Sequence, residues 1–97
     1  MHTGRDYMVE LIGFLPGFAY LGPLDDRLIV GRRESPRPRV PAGSVAIAGA
    51  YTGVYPAVSP GGWHLLGRAV DATLFDPTCD PPALLRPGDC VRFVSHA

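Results

Sequence analysis

The sequence predicts an all-β domain, and three features point to it. Twelve Gly and eleven Pro among 97 residues set turns at close intervals and leave little room for helix. Between those turns, apolar residues recur with a period of two, which belongs to strands. The segments so marked are short, as the strands of a small sheet are. A hydrophobic content of 46% is globular, and the length allows one small core and a single domain over residues 1–97.

Tyr7, Val9 and Leu11 alternate with Met8, Glu10 and Ile12, which predicts a first strand with one well-buried face, ending at Gly13. From Gly13 to Gly22, Phe14, Leu15, Phe18, Tyr20 and Leu21 follow neither period and Pro16-Gly17 interrupts them, so a structured loop is expected. Its aromatics are too many to stay wet: either they cap one end of the fold or they line a groove. Leu24 to Leu28 suits a helical turn with Asp25 near its start. Arg32, Arg33, Arg37 and Arg39 then cluster around Pro36 and Pro38, which hold the segment extended. Such guanidinium groups either fork a carboxylate or phosphate, or form a solvated face with Glu34 as local partner.

The centre of the chain is the stretch from Pro41 to His64. Val45 and Ile47 fall on one side of an extended segment and Ser44, Ala46 and Ala48 on the other, and both sides are small or apolar, so this strand is buried on both faces. Gly49 and Gly53 mark a bend and a close backbone approach, with Thr52 to Tyr55 extended again until Pro56. Ser59-Pro60-Gly61-Gly62 then predicts an exposed, stiff loop, followed by a strand from Trp63 to Gly67. That loop, next to the single Trp and a His, is where a binding surface would stand on a rigid scaffold. In the strand, His64, Leu66 and Arg68 share one face by simple alternation. Beside Arg68 the cationic form of His64 would be disfavoured, leaving a neutral base; the other reading is an ordinary surface His. Asp76 to Pro82 reads as a turn, Ala83-Leu84-Leu85 as a short helical turn begun by proline, and Pro87-Gly88-Asp89 as a second turn. Cys90 to Val94 then closes the sheet.

Nine Arg and no Lys balance nine acidic residues, which leaves no field to gather nucleic acid or an anionic membrane. No apolar run approaches the roughly 20 residues of a membrane span, and the first residues lack the apolar core of a signal peptide, so a cytoplasmic protein is expected. Cys79 and Cys90 do not make a zinc motif and are expected reduced; three scattered His make no metal site. Without Lys or a Gly-rich phosphate loop the chain has no P-loop, and Ser44 lacks the flanking glycines of a nucleophile elbow. No complete catalytic apparatus is visible, so no residue is assigned a catalytic role.

Several motifs stand in fixed order: Gly13-Phe14-Leu15-Pro16-Gly17-Phe18-Ala19-Tyr20-Leu21-Gly22, Arg32-Arg33 with Ser35-Pro36-Arg37, and the run Pro41 to Gly49. Thr52-Gly53, Tyr55-Pro56, Ser59-Pro60-Gly61-Gly62-Trp63, Gly67-Arg68 and Pro87-Gly88-Asp89 continue the series. In these the chain resembles the KipI/PxpB family, also called allophanate hydrolase subunit 1. The resemblance implies a cyclophilin-like β-barrel with one or two short helical turns, matching the family's C-terminal domain, while a further N-terminal domain of the family lies outside this chain. It implies a role beside a second subunit of the KipA/PxpC (allophanate hydrolase subunit 2) type, in ATP-dependent opening of 5-oxoproline to glutamate. The domain alone is expected to hold no cofactor and to be inactive; ATP is expected for the complex. The alternative is a regulatory module that inhibits a sensor histidine kinase by docking a proline-bearing segment against aromatics. Candidate substrate- or partner-binding residues are Phe14, Phe18, Tyr20, Arg37, Arg39, Ser59, Trp63, His64 and Arg68, with Tyr51, where the family often has Gln.

Overall fold

The computed structural model describes residues 2–69, 73–79 and 81–94. Its strands are β1 (Asp6–Ile12), β2 (Ala19–Gly22), β3 (Arg37–Val40), β4 (Ser44–Ala48), β5 (Tyr51–Val54), β6 (Ser59–Gly61), β7 (His64–Arg68) and β8 (Cys90–Arg92). The helical content of the described residues is one 3-10 turn, Asp26–Leu28. Asp25 caps it as expected, its carboxylate accepting the Arg27 amide at 3.0 Å. No helix of the described residues is long and apolar enough to cross a membrane.

Six strands form one antiparallel sheet in the order β7-β4-β5-β2-β1-β8, and β3 and β6 form a separate two-stranded ribbon. The all-β expectation holds, but the sheet is open rather than a closed barrel. Among the described residues β8 pairs with β1 alone and β7 with β4 alone, so Cys90–Arg92 forms an edge there and does not close the sheet. Both edges border one cleft of about 660 Å³, lined by Leu66 to Ala69 on one side and Arg92 to Val94 on the other.

Strand β4 is buried along its whole length, as its two apolar faces require. On one side Ile47 joins Tyr7, Val9, Ala19, Leu21 and Leu24; on the other Ala46 and Ala48 join Phe18, Val40, Tyr55 and Trp63. Val45 packs with Val54 and Leu74. The β4–β5 hairpin turns through Gly49, whose φ of 56° suits glycine. At Gly53 a Cβ would stand 3.0 Å from the Ala19 carbonyl oxygen and 3.1 Å from the Phe18 ring, a close approach that glycine makes without displacing either neighbour.

Two bulges overturn simple alternation. The β1–β2 pairing runs Val9↔Leu21 and then Leu11↔Tyr20, so one extra residue, Glu10, sits in β1. Side chains beyond it exchange faces: Leu11 turns outward and is 43% exposed, while Ile12 packs on the core in its place. In β7 the pairing passes from Val45↔Gly67 to Ala46↔Leu65, leaving Leu66 extra. His64 therefore shares a face with Ile47 and Arg68 with Ser44, on opposite sides of the sheet, contrary to the shared face expected for His64, Leu66 and Arg68.

Three further expectations differ. The loop expected from Gly13 to Gly22 ends in strand β2, because Ala19 and Leu21 reach one core and Tyr20 the other, a period of two hidden by the aromatics before it. Ser59-Pro60-Gly61 is strand β6 rather than free loop, paired with the proline-stiffened β3; Pro38 and Pro60, which lack an N–H, are tolerated because each strand of this ribbon has a free edge. Ala83-Leu84-Leu85 is extended, not helical: Phe75 and Ala83 form a bridge and the Leu84 amide donates to the Leu74 carbonyl at 2.9 Å. The turn that begins at Asp76 is present, its carboxylate accepting the Thr78 amide at 2.9 Å; Asp80, also read as part of it, lies outside the described residues.

Phe18 is fully buried at the meeting of β2, β5 and the aromatic cluster. Phe18→Ala is expected to lower stability by about 3 to 5 kcal/mol, measured by urea denaturation. His2 is held neutral: burial, and then the nearby N-terminal charge, lower its pKa from 6.5. Its Nε2 meets Thr52 Oγ1 at 2.7 Å, and since that hydroxyl already donates to the Ala46 carbonyl at 3.0 Å, the His2 ring is the donor. With a folded pKa below the unfolded one, stability is full above pH 6.5 and is lost as pH falls below it. The melting temperature should therefore drop between about pH 7.5 and pH 5.5, and His2→Gln should flatten that drop.

Candidate functional site

The ribbon β3–β6 lies over one face of the sheet and leaves a cavity of about 270 Å³ at its border, lined by Phe14, Tyr20, Arg32, Pro36, Tyr55, Pro60, Gly61, Gly62 and Trp63. Its walls follow from β2, whose alternation sends Tyr20 to the side opposite Ala19 and Leu21. Phe18 sits behind the wall and orders it: its ring lies 5.2 Å from Tyr55, 5.2 Å from Trp63, 5.4 Å from Tyr20 and 5.6 Å from Phe14, mostly edge-to-face. Tyr51 supports Tyr20 from outside the cavity, at 5.5 Å and 89°. Phe14 stands at the rim, 59% exposed and with a φ of 71° that non-glycine residues seldom adopt. Both readings of the Gly13–Gly22 aromatics are therefore realised: Phe18 is core, and Phe14 and Tyr20 line a cavity.

The polar candidates divide. Arg37 is half-buried on β3, whereas Arg39 is exposed, because an irregularity between Arg37 and Val40 gives the core position to Val40. Ser59 pairs with Val40 on β6 and donates to the Pro60 carbonyl at 3.1 Å. The His64 ring meets the Gly31 carbonyl at 2.8 Å; a carbonyl only accepts, so Nε2 carries the proton and His64 tethers the arginine segment rather than pairing with Arg68. Arg68 lies apart, in clefts bordered by His2 and Phe93 on one side and Ala42, Gly43 and Thr73 on the other. Of the expected group, the structure gathers Phe14, Phe18, Tyr20, Tyr51 and Trp63 at one site, places Arg37 and Ser59 on the ribbon over it, and leaves Arg39 and Arg68 outside.

Of the lining residues absent from the expected set, Arg32 and Tyr55 bring polar side chains. Arg32 supplies the guanidinium at the cavity, and the ion pairs among the described residues join Arg5 and Arg27 to Asp25 and Arg92 to Asp6, so Glu34 is no partner to the arginine cluster. Tyr55 contributes a fully buried phenol. Burial pushes its pKa up, opposed in part by the Trp63 amide and by the Arg32 charge, so it stands as a neutral hydroxyl. Its position follows from a pattern present in the sequence: Tyr55 lies two residues after Gly53, on the side that faces Phe18. Among the described residues no three His, Cys, Asp or Glu come together as metal ligands, and Cys79 and Cys90 are exposed free thiols. A small aromatic-walled cavity with one cation suits a compact anionic molecule with a flat or ring-shaped body.

Comparison with known proteins agrees with the motif order. The family model described as carboxyltransferase domain, subdomain C and D, matches residues 1–85. The chain is 55% identical over 94 residues to the 5-oxoprolinase B-subunit of Escherichia coli O157:H7, covering 97% of this chain and 43% of that protein. It is 53% identical to the 5-oxoprolinase B-subunit of Bacillus subtilis (strain 168), covering 97% of this chain and 39% of that protein. Among solved structures, the conserved uncharacterized protein PH0987 from Pyrococcus horikoshii superposes with a TM-score of 0.86 at 52% identity, over 96% of this chain and 43% of that one. The chain thus spans about two fifths of the length of these relatives, and it belongs to the carboxyltransferase-domain family, subdomains C and D, of the KipI/PxpB type.

Proposed function

We propose that this chain is the substrate-holding part of a 5-oxoprolinase-type hydrolase, acting with a second subunit of the KipA/PxpC type. The observation that carries this reading is the cavity between Phe14, Tyr20 and Trp63 with Arg32 at its wall. A five-membered lactam bearing a carboxylate presents a flat apolar ring to the aromatic faces and an anion to a guanidinium. Its hydrolysis adds water across the ring C–N bond, giving the free amine and second carboxylate of glutamate. An unstrained amide resists this, and coupling to hydrolysis of ATP to ADP and phosphate supplies the drive. This chain has no Lys and no phosphate loop, so the nucleotide is assigned to the remainder of the complex.

The chain's own part is positioning. Arg32 fixes the carboxylate, and the aromatic walls orient the ring and exclude water from one side of it. The same walls and the exposed Phe14 rim would also take a proline-bearing peptide, which is the regulatory reading. In the reconstituted two-subunit complex, Arg32→Ala is expected to lower kcat/KM for 5-oxoproline by about tenfold to a hundredfold with the melting temperature unchanged, since Arg32 is exposed. Arg68→Ala, in another part of the fold, is expected to leave KM as it was. Full activity of Arg32→Ala would remove the cavity from the reaction and favour the peptide-docking reading.

A further inference from the structure

Among the described residues, three buried side-chain polar atoms lack a hydrogen-bond partner: Arg33 Nη1, Arg37 Nε and Tyr55 Oη. All three residues gather on the backbone of Gly61 and Gly62; of the three, Tyr55 lines the aromatic cavity, and Arg33 and Arg37 are not among its lining residues. The Arg33 amide donates to the Gly62 carbonyl at 2.7 Å. Arg37 lies directly opposite Gly61 in the β3–β6 pairing. The Tyr55 hydroxyl fills the space where a Cβ on residue 61 would stand. Cβ positions on directly paired residues lie about 5 Å apart on one face, so the root of the Arg37 side chain and the Tyr55 hydroxyl are neighbours there. Glycine at 61 is what admits the phenol.

The unpartnered groups have one chemistry in common. A guanidinium offers N–H donors alone, and the Tyr55 hydroxyl has a proton to give. The Trp63 amide faces the phenol oxygen, but an amide N–H can only donate to it and leaves the hydroxyl proton without an acceptor. Buried donors without acceptors are costly, and a protein interior seldom collects several in one place. What is missing at Gly61–Gly62 is an oxygen.

We infer that the Tyr55 hydroxyl is the donor to the amide carbonyl oxygen of the bound ligand, a site separate from the Arg32 contact to its carboxylate. The inference rests on the lactam reading above and adds to it the residue that polarises the bond to be cleaved. As water adds to the carbonyl carbon, negative charge grows on that oxygen, and donors fixed beforehand and shielded from water stabilise it.

Trp63 is the single tryptophan and lines the cavity, so its fluorescence reports occupancy. The full chain, alone and with its second subunit, is titrated with 5-oxoproline and with cyclopentanecarboxylate, which keeps the ring and carboxylate but lacks the amide carbonyl. Tyr55→Phe is expected to weaken 5-oxoproline about tenfold and to leave cyclopentanecarboxylate unchanged. The melting temperature of Tyr55→Phe should change little, since the substitution removes a hydroxyl proton with no acceptor and, with it, the oxygen that the Trp63 amide faces. Equal affinity of Tyr55→Phe and the parent for 5-oxoproline overturns the inference and leaves the Arg32 reading standing. So does a lowered melting temperature with affinity unchanged, which makes the hydroxyl structural. No Trp63 response to either ligand, alone or in the complex, overturns both.

Discussion

The structure depends on the seating of one ring, that of Phe18. It is fully buried between β5 and the aromatic cluster, and β5 passes it so closely at Gly53 that a Cβ there would crowd the ring at 3.1 Å. Tyr20, Tyr55 and Trp63 all meet it within 5.4 Å, most of them edge-on, so the orientation of each is set by the same neighbour. A cavity wall made this way is rigid without hydrogen bonds of its own. The side chains that face the cavity are held from behind by one that does not.

Two irregularities in the sheet decide which of its side chains share a face. The extra residue in β1 exchanges Leu11 and Ile12 across the sheet, and the extra residue in β7 separates His64 from Arg68. Each is a one-residue event with a large consequence, because side chains alternate with a period of two and one insertion inverts all that follow. In β7 the result frees His64 to bond the Gly31 carbonyl, which ties down the segment that carries Arg32. The arginine that reaches the cavity is thus placed by a histidine on another strand.

The same region shows an uneven distribution of cost. Most buried polar groups on the sheet are satisfied, Thr52 and Ser44 through backbone carbonyls at 3.0 Å and 2.7 Å. The donors left over collect around Gly61 and Gly62. Stability is conceded at one place in the fold, and that place borders the cavity. Unpaired donors packed beside aromatic walls are poor structure and good recognition, since their cost is recovered when an acceptor arrives.

What the sequence by itself determined is the material of the fold. The Gly and Pro content, the double-faced apolar run Val45 to Ala48 and the ordered motifs from Gly13 to Asp89 were enough for an all-β domain of this family, and they marked out Phe14, Phe18, Tyr20 and Trp63, which gather at the aromatic cavity. These are local properties, carried by period, turn chemistry and motif order. What only the tertiary structure decided is pairing: the open sheet, the two bulges, the β3–β6 ribbon and the places of Arg32 and Tyr55. Neither β-bulge has a residue signature in this chain, since Glu10 and Leu66 suit a regular strand equally well. Tyr55 meets Gly61 at the aromatic cavity because β6 passes its hydroxyl, and Arg68, paired with Ser44, borders other clefts. Register is a relation between strands distant in sequence, set by which faces must be buried together, and a single strand read alone does not contain it.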